Sequence, residues 1–192
     1  MLRRLSAFAA LSILLAACQT APQADDVPAP VAADTAAARP AQVAVATLAA
    51  LDSSGVSGRV EFRRLGEATE VRYSVSGLAP GEHGIHVHQN ADCGADSTGE
   101  AGTAAGPHFN PLASPHGAPA AGLTARHAGD FGNLIADETG RAEGILIDSV
   151  LTFDGPTALV GHAVIVHAGR DDLETQPGGD SGDRIACGVT AL

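Results

Sequence analysis

The feature that most constrains this chain is the placing of its histidines. His86 and His88 lie in GIHVHQ, His108 in GPHFNP, His116 in SPHG, His127 and Asp130 in RHAGD, and His167 in VIVHAGRDD. Six imidazoles and a carboxylate exceed what one tetrahedral ion takes, since such a site has four ligands. They suit two adjacent ions, one preferring nitrogen in a flattened geometry and one accepting mixed nitrogen and oxygen. A redox metal beside a redox-silent one is a reagent for one-electron chemistry. Any fold of this chain has to bring these separated positions to one place.

From residue 41 onward the apolar residues alternate. Gln42-Val43-Ala44-Val45-Ala46-Thr47-Leu48, Gly58-Arg59-Val60-Glu61-Phe62-Arg63 and Glu70-Val71-Arg72-Tyr73-Ser74-Val75 have strand period. Turn chemistry at Ser53-Ser54-Gly55, Leu65-Gly66-Glu67 and Leu78-Ala79-Pro80-Gly81 separates them. Further strands are expected at 83–88, 131–136, 142–147, 159–167 and 185–190, with a hairpin turn at Glu138-Thr139-Gly140. Short strands at this spacing indicate an all-β sandwich or barrel. Residues 89–130 and 168–184 do not alternate, and loops that long in a compact domain are usually functional. They hold His108, His116, His127 and Asp130, and the second begins directly after His167.

The two histidines of GIHVHQ are two apart on a strand. They therefore share a face, about 6.7 Å apart along it, and can share an ion. His83 is three from His86 and His162 is five from His167, so on continuous strands both point to the opposite face. Neither is expected to bind metal.

The first residues stand apart from the fold. Met1-Leu2-Arg3-Arg4 is a basic n-region and Leu5–Ala17 an apolar stretch, short of the about 20 residues a spanning helix needs. It ends in Leu15-Ala16-Ala17-Cys18, which resembles the lipobox of bacterial lipoproteins more than a plain small-residue cleavage site. The expectation is a signal peptide over 1–17, cleavage before Cys18 and lipid on its thiol; the alternative is an ordinary secretory signal. Either way the mature chain is exported. Residues 18–40, rich in Ala and Pro, bury too little surface to offset their ordering entropy and read as a flexible tether. Residues 41–192 suffice for one core.

The chain has three cysteines, an odd number for an exported protein. If Cys18 carries lipid, Cys93 and Cys187 remain as a pair that an oxidising periplasm lets bond. The formal charge is −11 and there is no lysine, which argues against a nucleic-acid partner or an anionic-membrane surface.

GIHVHQ, GPHFNP, RHAGDFGN, VIVHAGRDD and DRIACGV, in this order, resemble the copper/zinc superoxide dismutase family, over essentially the whole of 41–192. The resemblance implies a Greek-key eight-stranded barrel, a β-sandwich-like architecture. It implies that His86, His88, His108 and His167 ligate copper, and that His108, His116, His127 and Asp130 ligate zinc, with His108 bridging. It implies superoxide as substrate, His108 as a proton carrier, Asp171 as a carboxylate linking His86 and His116, Arg184 as the active-site arginine, and a Cys93–Cys187 disulfide. It also suggests the bacterial periplasmic lipoprotein type. Gln19 after Cys18 suggests the outer membrane by the same analogy, and both homodimer and monomer stay open.

One departure matters. Family members often steer their anion with lysines in the loop before the arginine. Here 168–183 has Arg170 but no lysine, and carries Asp171, Asp172, Glu174, Asp180 and Asp183. Steering is then expected from Arg184, Arg170 and Arg126, or to be weak. The competing function is copper or zinc storage or delivery without turnover, for which retention of His108 and Arg184 has no evident use.

Overall fold

The computed structural model describes residues 42–192. Eight strands follow one another: β1 (Val43–Ala50), β2 (Ser57–Leu65), β3 (Ala68–Ser76), β4 (Gly81–His88), β5 (Asp130–Ala136), β6 (Arg141–Asp148), β7 (Ala163–His167) and β8 (Arg184–Val189). All pairings between them are antiparallel, in the order β5-β4-β7-β8-β1-β2-β3-β6. Chain-adjacent β3 and β4 therefore lie in different halves, which is the Greek-key connection. The two ends of the order, β5 and β6, are joined by a hairpin turn in which Asp137 N–H donates to Arg141 C=O. Beyond that turn they share no ladder, so the barrel is nearly closed, with a seam. Helical structure among the described residues is one 3₁₀ turn, Thr103–Ala105.

The alternation read in the sequence is the alternation that packs. Ala44, Ala46 and Leu48 of β1, Val60 and Phe62 of β2, and Val71 and Val75 of β3 point into one core with Ile85 and Val87 of β4. The β2–β3 turn is the two residues Gly66-Glu67, and Gly66 has φ 62°, which a glycine adopts at no steric cost. Strand limits differ from expectation by one or two residues, except at β7. The run from residue 159 was expected to be extended, but the strand begins at Ala163. Leu159 is buried all the same, its N–H on Thr152 C=O, and Gly161 at φ 84° turns the chain before the strand starts. Apolarity there signalled burial and not extension.

β4 and β7 are buried on both faces. Their inward residues join the core. Their outward residues, including His86, His88, Ile165 and His167, lie under the long loops 89–129 and 168–183. The first loop is fixed by the Cys93–Cys187 disulfide, which joins positions 94 apart. Around it Leu51, Ala105, Ala163, Ile165 and Cys187 form a second, smaller apolar cluster. Replacing both cysteines with serine is expected to lower stability by about 2–4 kcal/mol, read as a shift in the urea midpoint with unchanged slope. The signal peptide, Cys18 and the tether lie outside the described residues.

Candidate metal centre

His86 and His88 leave the same face of β4, and His167 ends β7 beside them, where Ile165 pairs with His86. The first loop returns across this face. Phe109 N–H donates to Val87 C=O and Val87 N–H to Gly129 C=O, and Gly129 N–H donates to Phe109 C=O, so the segments that carry His108 and His127 are brought together along one edge of the strand. Gly129 is required for that approach, because a β-carbon there would run into Val87 C=O. Among the described residues two groups could hold a cation, with ligand atoms within 4.8 Å of one another in each: His86, His88, His108 and His167; and His108, His116, His127 and Asp130. His108 is in both. Its Nδ1 lies 2.8 Å from Asp130 Oδ1, and its ring stacks on His86 with centroids 3.9 Å apart.

Four of the six rings are held by the nitrogen opposite the one they offer. His88 Nδ1 lies 2.8 Å from Gly106 C=O and His167 Nδ1 3.0 Å from Gly182 C=O. Asp171 takes His86 Nε2 on one oxygen at 2.7 Å and His116 Nε2 on the other at 3.0 Å, so one buried carboxylate orients a ring of each group. The opposite nitrogens of His86 (Nδ1), His88 (Nε2) and His167 (Nε2) are buried without a hydrogen-bond partner, while His116 Nδ1 faces Asp130 Oδ1 at 3.1 Å. An unsatisfied buried polar atom costs about 1–3 kcal/mol, so three converging in one group fit cation ligands and little else.

Protonation follows the same logic. Burial holds His88 well below its ordinary value, takes His108 down to about 4 and His167 to about 3, and lowers His86 against the pull of Asp171. At neutral pH these rings are uncharged and their lone pairs are free for a metal. His116 is the exception: burial opposes its charge, but hydrogen bonds to Asp130 and Asp171 outweigh burial and raise it to about 9. A cation entering that group must displace its proton. Burial acts against ionisation of Asp130 and Asp171 too, and their histidine partners more than reverse it, so both stay carboxylates.

The sequence from 56 to 190 matches the family model for copper/zinc superoxide dismutase. The chain belongs to the copper/zinc superoxide dismutase family. A yeast relative (Saccharomyces cerevisiae) named Superoxide dismutase [Cu-Zn] is 42% identical over 148 residues, covering 72% of this chain and 92% of that one. A crystal structure described as that of the clock protein EA4 superposes with a TM-score of 0.69 at 33% identity, over 78% of this chain and 94% of that chain. The two metals in the family's name agree with the donor sets: four imidazoles in one, three imidazoles and a carboxylate in the other.

Against this family background the residues singled out from sequence converge, except for two of the three arginines expected to steer an anion. Asp171, not Asp172, is the linking carboxylate; Asp172 instead accepts from the N–H groups of Glu174 and Thr175 in its own turn. His83 lies apart from both groups, its ring nitrogens facing His167 C=O and Ala79 C=O. His162 stacks on Phe109 at 3.9 Å. Arg184 lines a cavity of about 620 Å³ together with His88, His108, His127, His167 and Gln176, and donates to Gly102 C=O at 2.6 Å and Gly106 C=O at 2.8 Å.

The first of these is Arg126. It is fully buried, paired with Asp148, and donates to the carbonyls of Ala121, His127 and Asp130. The converging carbonyls of its own loop need those donors, so none is presented to solvent. Arg170 is exposed and pairs with Glu82 at 2.8 Å, away from the cavity walls. Arg184 is left as the arginine at the cavity. Two residues escaped the sequence reading altogether, Asn133 and Gln176, whose partners are main-chain groups that leave no signature in the sequence.

Proposed function

We propose that the protein removes superoxide, converting two superoxide anions and two protons to dioxygen and hydrogen peroxide. Copper is held by His86, His88, His108 and His167, and zinc by His108, His116, His127 and Asp130. The observation that carries this reading is the single imidazole common to both ligand sets. Bound copper supplies a one-electron acceptor and donor in alternation, and zinc a cation of constant charge. The chain does the rest. His108 keeps Nδ1 with Asp130 in the zinc set, while Nε2, on the side of Gly178, serves the copper set and carries a proton when not holding metal. Asp171 fixes the orientation of His86 and His116. Arg184 sets a permanent positive charge at the cavity wall, which attracts a small anion.

A competition assay on the copper- and zinc-loaded protein tests the reading, which requires fast superoxide removal that is lost on chelation. Retained copper without such removal would leave storage or delivery as the function. In the same assay Arg184→Glu is expected to lower the rate about 10-fold or more. Arg170→Glu, off the cavity, serves as the control and should change it little; equal losses would remove the special role given to Arg184.

We further propose that residues 1–17 are a lipoprotein signal and that Cys18 carries lipid, tethering the domain to a periplasmic membrane, the outer one by the Gln19 criterion. Cys18→Ser should then leave the membrane fraction or stay unprocessed. A variant that fractionates with the membrane at the parent's mass counts against lipidation.

A further inference from the structure

His116 sits between residues 111 and 125, where the chain has no regular secondary structure. Its main chain is held from outside that segment. His116 N–H donates to Gln176 Oε1 at 2.8 Å, and Gln176 Nε2 donates back to His116 C=O at 2.9 Å. The same Nε2 donates to Glu174 C=O at 3.1 Å, so both amide protons face carbonyls and the oxygen must face the N–H. A third hold, on the ring, comes from Asp171. All three originate in the loop 168–183.

A matching clip anchors that loop in turn. Asn133 Nδ2 on β5 donates to Asp171 C=O at 2.9 Å, and Asp171 N–H donates to Asn133 Oδ1 at 2.7 Å. His127, by contrast, is held within its own segment, its N–H on Asp130 Oδ2 at 2.8 Å. Of the four residues of the second ligand set, His116 is the one whose seat is built by another loop.

We propose that Gln176 is a positioning residue for zinc retention: its side-chain amide, by gripping both main-chain groups of His116, keeps that ligand seated. The proposal rests on the zinc assignment above. Without the clip the main chain here keeps only the bond from Gly117 N–H to Asp130 Oδ2, and His116 gains freedom that must be lost again each time its ring meets the ion.

The test measures zinc release from the metal-loaded protein to a coloured chelator, and copper release in parallel. Gln176→Met keeps the side chain's length without its hydrogen bonds, and Gln176→Ala removes both. Zinc release is expected to be about 10- to 100-fold faster in each, the range found when a ligand loses its outer support. Copper release should hold at the parent rate, since His86, His88 and His167 do not depend on this amide. Hydrogen exchange at the His116 amide should rise in both variants. Zinc release within about twofold of the parent overturns the proposal, as does equal acceleration for both metals, which marks general loosening. A parent that retains no zinc overturns the ligand assignment itself, and this proposal with it.

Discussion

Replacing His108 with alanine is expected to lower superoxide removal by about 100-fold or more, beyond the loss usual for an outer-shell residue. The substitution leaves three imidazoles in one set and two imidazoles with Asp130 in the other, so each still binds some metal. What disappears is the shared ring. Nothing else in either group lies in both, and no other imidazole can carry a proton at the position of Nε2. The copper signal in electron paramagnetic resonance should change symmetry, and its dependence on zinc occupancy should vanish. A variant whose spectrum and activity resemble the parent's would mean that His108 does not join the two sites.

Arg126→Met is expected to destabilise the domain by about 3–5 kcal/mol, the loss usual when one partner of a buried ion pair is removed. The melting temperature should fall by about 10 °C for a chain of this size. The substitution leaves Asp148 charged in the interior, its Oδ1 on the N–H groups of Val150 and Leu151 and its Oδ2 without a cation. It also strips donors from the carbonyls of Ala121, His127 and Asp130. Arg126→Met with Asp148→Leu should recover part of the loss, because the uncompensated charge is gone while the N–H groups of Val150 and Leu151 lose their acceptor. Calorimetry on the parent and both variants checks this, and a single-variant loss below about 1 kcal/mol would show that the pair is not what holds the loop.

These two residues also mark what a sequence discloses. His108 was legible because metal chemistry restricts the donor types and because strand parity puts His86 and His88 on one face. The core was legible for a similar reason: Val60, Phe62, Val71 and Val75 alternate with polar residues along simple hairpins. Arg126 was misread because its neighbours in sequence, ligands and a carboxylate, suggest an anion path. Its actual partners are carbonyls gathered only when the loop closes, together with an aspartate at the far end of β6. Gln176 and Asn133 were invisible for the same reason, since an amide gripping a backbone has no residue-type preference on the other side.

The seam between β5 and β6 has a consequence for how the protein comes apart. Arg126 spans it at one end, from Asp130 C=O to Asp148, and the hairpin turn closes the other. Between those points the strands have no backbone ladder to each other, so β5 is the outermost strand of its half and pairs with β4 alone. That border strand bears Asp130 and Asn133, one a member of the zinc-type set and the other the anchor of Asp171. His86, His88 and His167 come from interior strands, flanked on both sides. Fraying at the border therefore takes Asp130 from one ligand set together with the anchor of Asp171, and removes no member of the other, so on gentle warming the redox-silent ion is expected to leave first.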